Sequence, residues 1–79
     1  MKHSQRIINS RPVYLAENDQ GIFVLDGMRK SQVTLDALGP GWEWVPGVGR
    51  DRGAYFANSR KAAERVSDLL ELKIIPKGG

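Results

Sequence analysis

The sequence contains no cysteine, and His3 is its only histidine. Disulfide bonds are therefore excluded, and the absence of cysteine is compatible with a reducing cytoplasm. A structural zinc site needs about four cysteine or histidine ligands, which this chain does not offer. With no cysteine nucleophile and its one histidine in an amino-terminal arm, the chain gives no basis for nucleophilic catalysis. We predict a non-enzymatic protein without metal or cofactor.

Long apolar runs are also missing. No segment approaches the roughly 20 apolar residues of a membrane-spanning helix, and residues 1–6 lack the apolar centre of a signal peptide. We therefore expect a cytoplasmic protein that does not contact a membrane. The formal net charge of +3 is small, and it favours an anionic partner without requiring one.

The length of 79 residues suffices for one hydrophobic core, and an apolar share of 41% indicates that the chain folds. We predict a basic, partly ordered arm over residues 1–11. One α+β domain follows over residues 12–76, and residues 77–79 form a flexible tail.

One helix, over about residues 59–71, is indicated by apolar residues that recur at steps of three and four. These residues are Ala62, Ala63, Val66, Leu69 and Leu70. Asn58 or Ser59 can act as its N-cap. A helix of about twelve residues is marginal alone in water, so its apolar side must pack on a sheet.

Short strands account for most of the other apolar residues. They are predicted at 12–17, 22–25, 41–46, 54–56 and 72–75. The turn at Asn18–Gly21 joins the first two strands into a hairpin, and the glycine-rich segment 47–53 forms the tip of a second hairpin. The strand at 22–25 is apolar on both sides, which indicates a central position.

The sequence of residues 33–38 is compatible with two alternatives, a strand and a single helical turn. The β-branched Val33 and Thr34 favour a third strand over Gln32–Asp36. The stretch Thr34–Leu38, stopped by Gly39, fits a single helical turn equally well. In either case the fold class is α+β, with a small antiparallel sheet of four to five short strands on one carboxy-terminal helix and a short final strand.

The charges of the helix run against its dipole. A helix favours acids in its first turn and bases in its last, by about 0.3–1 kcal/mol each. Here Arg60, Lys61 and Arg65 come early, whereas Asp68 and Glu71 come late. An anion bound at the helix amino terminus, where free N–H groups point outward, would relieve this mismatch.

The hairpin tip adds two further cations, Arg50 and Arg52. If the tip folds back towards the helix amino terminus, five cations converge there. Glycines in the tip do not make it a phosphate loop, since it leads into a strand and lacks the Gly-Lys-Ser/Thr ending. The acids in turns and strands, by contrast, are expected to be solvated: Glu17, Asp19, Asp26, Asp36 and Glu43.

Two functional hypotheses follow. The first is a binding or regulatory protein that engages nucleic acid, or a nucleic-acid–protein complex. Its phosphate contacts are predicted to be Arg50, Arg52, Arg60, Lys61 and Arg65.

The second is an inhibitor or adaptor of the phage or mobile-element type, whose protein interface is an aromatic patch of Trp42, Trp44 and Tyr55. The sequence does not decide which side of the sheet carries the tryptophans. Homodimerisation through an exposed sheet edge is a third hypothesis.

Residues 53–66 resemble part of two DNA-binding families. The pattern of Tyr55 and Phe56 on a strand, followed by Ala62 and Ala63 on a helix, is similar to plant-type AP2 and integrase arm-binding DNA domains. In those families the sheet enters the major groove. The resemblance would imply DNA contact through the sheet.

Overall fold

The computed structural model describes residues 2–8, 10–28, 34–49 and 52–76. Its elements are, in chain order, β1 (Arg6–Ile8), β2 (Arg11–Glu17), β3 (Phe23–Asp26), α1 (Leu35–Leu38), β4 (Trp42–Pro46), β5 (Gly53–Ala57), α2 (Arg60–Leu70) and β6 (Ile74–Ile75). The predicted fold class is confirmed: an antiparallel sheet carries one carboxy-terminal helix and a short final strand.

The strands lie in the order β1–β2–β3–β5–β4, and each neighbouring pair is antiparallel. Strand β6 pairs with β2 in parallel, with Ile74 opposite Leu15 and Ile75 opposite Ala16. Both predicted hairpins are present, and β3 is central as predicted. The segment 1–11, predicted as an arm, contributes β1 to the sheet.

The first hairpin turns on Asn18. Its side-chain oxygen accepts hydrogen bonds from the backbone N–H groups of Gln20 (2.9 Å) and Ile22 (3.0 Å). An Asn side chain that replaces a backbone acceptor in this way stabilises a tight turn. The local chemistry of the sequence is therefore sufficient to place this turn.

The prediction of a strand at Gln32–Asp36 is wrong over Leu35 and Asp36, which lie in helix α1. Residues 32 and 33 are outside the described part of the chain. Thr34 is the N-cap of α1, and its hydroxyl accepts a hydrogen bond from the N–H of Ala37 at 3.1 Å. The threonine hydroxyl thus satisfies a free N–H group of the first turn, which opposes the β-propensity of its branched side chain.

Helix α2 has the predicted cap and length. The Ser59 hydroxyl accepts from the N–H of Ala62 at 3.3 Å, and the helix ends at Glu71 in left-handed conformation. Three of the expected apolar residues, Ala62, Ala63 and Val66, are buried. Leu69, predicted to share their side of the helix, is 56% exposed instead.

The core lies between α2 and one side of the sheet. The sheet contributes Val13, Leu15, Phe23, Leu25, Trp42, Tyr55 and Ala57, and Leu38 and Leu72 close its margins. The half-buried Trp44 packs edge-on against Tyr55, with ring centroids 4.9 Å apart. Aromatic rings thus supply much of the apolar area in this small core.

Burial of Tyr55, which is 1% exposed, raises the pKa of its phenol above the ordinary 10.0. The folded state therefore holds this proton more tightly than the unfolded state, so its stabilisation is complete below pH ~10. It is lost as the pH rises through the higher folded-state pKa. Urea unfolding across the alkaline range should show a declining free energy of unfolding, and Tyr55→Phe should flatten that decline. An unchanged slope in the variant would contradict the assignment.

Candidate functional site

Convergence of five cations required the hairpin tip to fold back towards α2, and at Arg52 this condition is not met, because strand β5 separates Arg52 from the helix. Arg52 immediately precedes β5, whereas Arg60 lies just beyond its other end. Five extended residues span about 16 Å, so the hairpin tip and the helix amino terminus are at opposite ends of the sheet. Arg50 lies outside the described residues. The group that remains together is Arg60, Lys61 and Arg65, exposed on α2.

Arg60 already has partners within the molecule. Its guanidinium lies 3.4 Å from the carboxylate of Glu17, and its Cζ is 5.2 Å from the centre of the Phe23 ring. Glu17, expected to be a solvated acid, thus supplies negative charge close to the start of α2. An exposed pair of this kind contributes little to stability, but it reduces the demand for an external anion.

The opposite end of α2 is neutralised by the amino-terminal segment. Arg6 donates a hydrogen bond to the carbonyl of Leu70 at 2.8 Å and lies 3.9 Å from the Glu71 carboxylate. Lys2 contacts Asp68 at 2.6 Å. These cations occupy the place where a helix dipole favours positive charge. The acids at this end of α2 are therefore compensated by residues more than sixty positions away in sequence.

The aromatic residues predicted as an interface face α2. Trp42 is 7% exposed and donates from Nε1 to the carbonyl of Ala62 at 3.3 Å, and Tyr55 is almost fully buried. Only Trp44 is half-buried. Because Trp42 and Tyr55 hold the sheet to the helix, they could anchor a partner only if the core opened.

The other side of the sheet is not covered by either helix, and we call it the open face. One row of side chains crosses it from strand to strand: Ile75, Ala16, Val24, Phe56 and Glu43. The first four are half-buried and apolar, and Glu43 is exposed. Sequence alternation alone could have identified these residues, but not which side of the sheet the helix would leave uncovered.

One end of the open face is closed by the β4–β5 tip. Asp26, predicted to be a solvated turn acid, is only 5% exposed there. Its carboxylate accepts from the Tyr14 hydroxyl at 2.8 Å and from the N–H of Gly27 at 2.9 Å. Gly49 lies so close that a Cβ at its position would be 2.7 Å from Asp26 Oδ1. Gly49 thus lies against the sheet beside the apolar row.

Charge distinguishes the open face from the rest of the surface. The strand residues that share it are the five of the row together with Ile7, Pro12, Tyr14, Asp26, Val45 and Ala54. Among these described residues there is no lysine or arginine. A sheet that enters a DNA groove needs cations to neutralise phosphates. The open face therefore does not have the chemistry that the resemblance to AP2 and integrase domains implies.

A pocket and a metal site are the other kinds of site to consider among the described residues. A depression of about 430 Å³ lies beside α1, lined by Leu35, Asp36, Gly39, Pro40, Gly41 and Trp42. Asp36 is its only charged lining residue, and nothing else there converges on a ligand. Within the described ranges, no three His, Asp or Glu side chains lie close enough to hold a metal ion. No helix among these residues is long and apolar enough to span a membrane.

Comparison with known proteins gives no relative. No protein-family model, curated protein or solved structure matches the chain.

Proposed function

We propose that this is a small non-enzymatic binding protein whose open face docks an apolar surface of a folded protein. The observation that supports the proposal is the row of Ile75, Ala16, Val24 and Phe56, which runs across four strands. In an antiparallel sheet with one solvated side, that side usually carries polar residues. Here it carries apolar ones, and a contiguous apolar patch marks an interaction surface.

The chemistry of the patch favours a protein over a nucleic acid. Affinity for nucleic acid depends on neutralising phosphates, and the described strand residues of the open face include no lysine or arginine. A relatively flat sheet side with a single exposed carboxylate, Glu43, fits an apolar protein surface with a polar rim. The proposal thus retains the protein-binding hypothesis but moves its contacts from Trp42 and Tyr55 to Val24 and Phe56.

Engagement of nucleic acid or a nucleic-acid–protein complex stays a prediction. It depends on predicted contact residues that lie away from the open face. Lys61 and Arg65 are exposed one turn apart on α2, and Arg52 is exposed at the far end of β5. These positions are on different parts of the surface, so their phosphate contacts would not converge on one site. Nuclease treatment of photocrosslinked adducts distinguishes the two hypotheses.

Site-specific photocrosslinking tests the proposal. Phe56 is replaced by the photoreactive p-benzoylphenylalanine, and the matched control carries the same change at Leu69, which is exposed on α2. We expect ultraviolet light in native lysate to give discrete protein adducts from position 56 and not from position 69. Nuclease treatment should leave them unchanged.

Three results would contradict the proposal. They are the absence of adducts at position 56, equal adducts at both positions, or adducts that nuclease removes. The last result would favour the nucleic-acid hypothesis. Mass spectrometry of the adducts identifies the partner.

A further inference from the structure

Strand β4 is the last strand of the sheet, and among the described residues no other strand pairs with its outer edge. An unpaired edge presents a row of backbone N–H and C=O groups that another strand can bind. We propose that the β4 edges of two copies of this chain pair antiparallel, about a two-fold axis perpendicular to the sheet. The pairing uses backbone groups of β4 and not the open face, so it does not rest on the proposed function.

The backbone groups that point outward from β4 belong to Trp42, Trp44 and Pro46. At the end of the strand the Gly47 N–H donates to the Arg52 carbonyl at 2.9 Å, so the backbone groups of Gly47 point towards β5. Alternate residues of an antiparallel strand point these groups to opposite edges. Pro46 therefore faces outward, where its missing N–H removes no bond to β5. Trp44 and Trp42 follow by the same alternation.

The side chain of Trp44 does not obstruct this edge. Its indole lies over Gly53, where a Cβ would overlap the ring. The same ring packs edge-on against Tyr55, with 4.9 Å between the ring centroids. Both neighbours are on β5, so the indole leans inward across the sheet and not over its edge. It therefore does not block a strand that approaches the Trp44 N–H and C=O at the usual spacing of about 4.8 Å.

Self-complementarity favours a second β4 as the partner and fixes the register. With the two Trp44 residues opposite each other, each Trp44 N–H donates to the other Trp44 carbonyl, and each Trp42 N–H donates to the Pro46 carbonyl of the other copy. Glu43 then faces Val45 of the other copy. A shift of two residues in one direction sets the two Glu43 carboxylates opposite each other, which is destabilising. A shift in the other direction sets Trp44 opposite Pro46 and loses the bonds of Trp42.

A continuous docking surface is the second argument for a second copy. An axis perpendicular to the sheet leaves both open faces on one side of a single sheet and both α2 helices on the other. The molecule measures 26 × 25 × 22 Å, so one open face offers about 650 Å² in projection. Each partner of a standard interface buries roughly 800 Å², whereas two adjoining open faces offer about 1,300 Å². This second argument alone rests on the proposed function.

Disulfide trapping tests the register, because the chain has no cysteine of its own. Glu43 and Val45 of the other copy form a pair without backbone hydrogen bonds, about 4.5 Å apart at Cα, which a disulfide can bridge. A mixture of Glu43→Cys and Val45→Cys chains should therefore give a crosslinked dimer on mild oxidation. Each variant alone should crosslink about tenfold less, because its two cysteines are diagonal neighbours about 8 Å apart.

Sedimentation equilibrium of the purified chain measures the association itself. We expect the mass to rise with concentration from 8.8 kDa towards twice that value. In a chemically synthesised chain, methylation of the Trp44 backbone nitrogen keeps the indole and the bonds to β5 but removes the outward N–H. It should weaken association about tenfold or more. The matched control, methylation of the Val48 nitrogen in the exposed tip, should leave association unchanged.

Circular dichroism checks that each variant is folded, and disulfide trapping decides the matter if the chain methylated at Trp44 does not fold. A monomer at every concentration would overturn the edge pairing, as would a dimer that methylation of folded chain at Trp44 leaves unchanged. Equal crosslinking in the mixture and in each single variant would overturn it too.

The proposed function is judged separately, since Phe56 lies on β5, one strand away from this edge. Protein adducts from position 56 on a chain that stays monomeric would leave the proposed function standing and overturn the edge pairing. A dimer trapped in the expected register, without adducts from position 56, would contradict the proposed function alone.

Discussion

Replacing Gly27 by alanine is expected to lower the free energy of unfolding by about 3 kcal/mol or more, because two penalties coincide. The backbone there has φ of +98°, where a side chain is strained. In addition, a Cβ would lie 2.1 Å from the carbonyl oxygen of Pro12, which is backbone and cannot rotate away. The end of β3 must therefore move away from the start of β2.

Gly47 provides a matched control. Its φ of +84° imposes a similar strain, but a Cβ there would meet no atom within 4 Å. Gly47→Ala should cost about 1 kcal/mol, the backbone term alone. The difference between the two midpoints of urea unfolding measures the close approach of Gly27 to Pro12. Equal losses in the two variants would show that backbone strain explains both.

Local signals in the sequence predicted most of the fold. The period of α2, the cap at Ser59 and the turn at Asn18 each depend on residues within a few positions of one another. The helical turn at Leu35–Leu38 was the exception, because the Thr34 hydroxyl and the β-branched stretch before it favour opposite structures. Propensity and capping have similar magnitudes, so neither decides such a short element alone.

The candidate site was less predictable because it depends on distant contacts. The charge pattern of α2 indicated an external anion, yet Arg6 and Glu17 supply compensation from elsewhere in the fold. One error was avoidable. A strand of five residues between Arg52 and the helix start already separates the tip from that helix end. Which side of the sheet α2 covers, by contrast, is decided by packing of the whole core.

The burial of Asp26 could not be predicted from the sequence either. Its replacement should cause the second large loss in the free energy of unfolding. Followed by glycine, it has the sequence signature of an exposed turn, yet it is buried where the β4–β5 tip meets the sheet. Asp26→Ala deletes the acceptor of the Tyr14 hydroxyl and of the Gly27 N–H. Loss of these buried hydrogen bonds should lower the free energy of unfolding by about 2–4 kcal/mol.

Comparison with Asp26→Asn separates hydrogen bonding from charge. Asparagine keeps the shape and one acceptor oxygen, so it should cost only about 1 kcal/mol, provided that hydrogen bonding is what matters. Tyr14→Phe removes the donor alone, and a double-mutant cycle with Asp26→Ala should give a coupling energy of about 0.5–1.5 kcal/mol. If Asp26→Ala unfolded at the wild-type urea concentration, the hydrogen bonds from Tyr14 and Gly27 would not stabilise the fold.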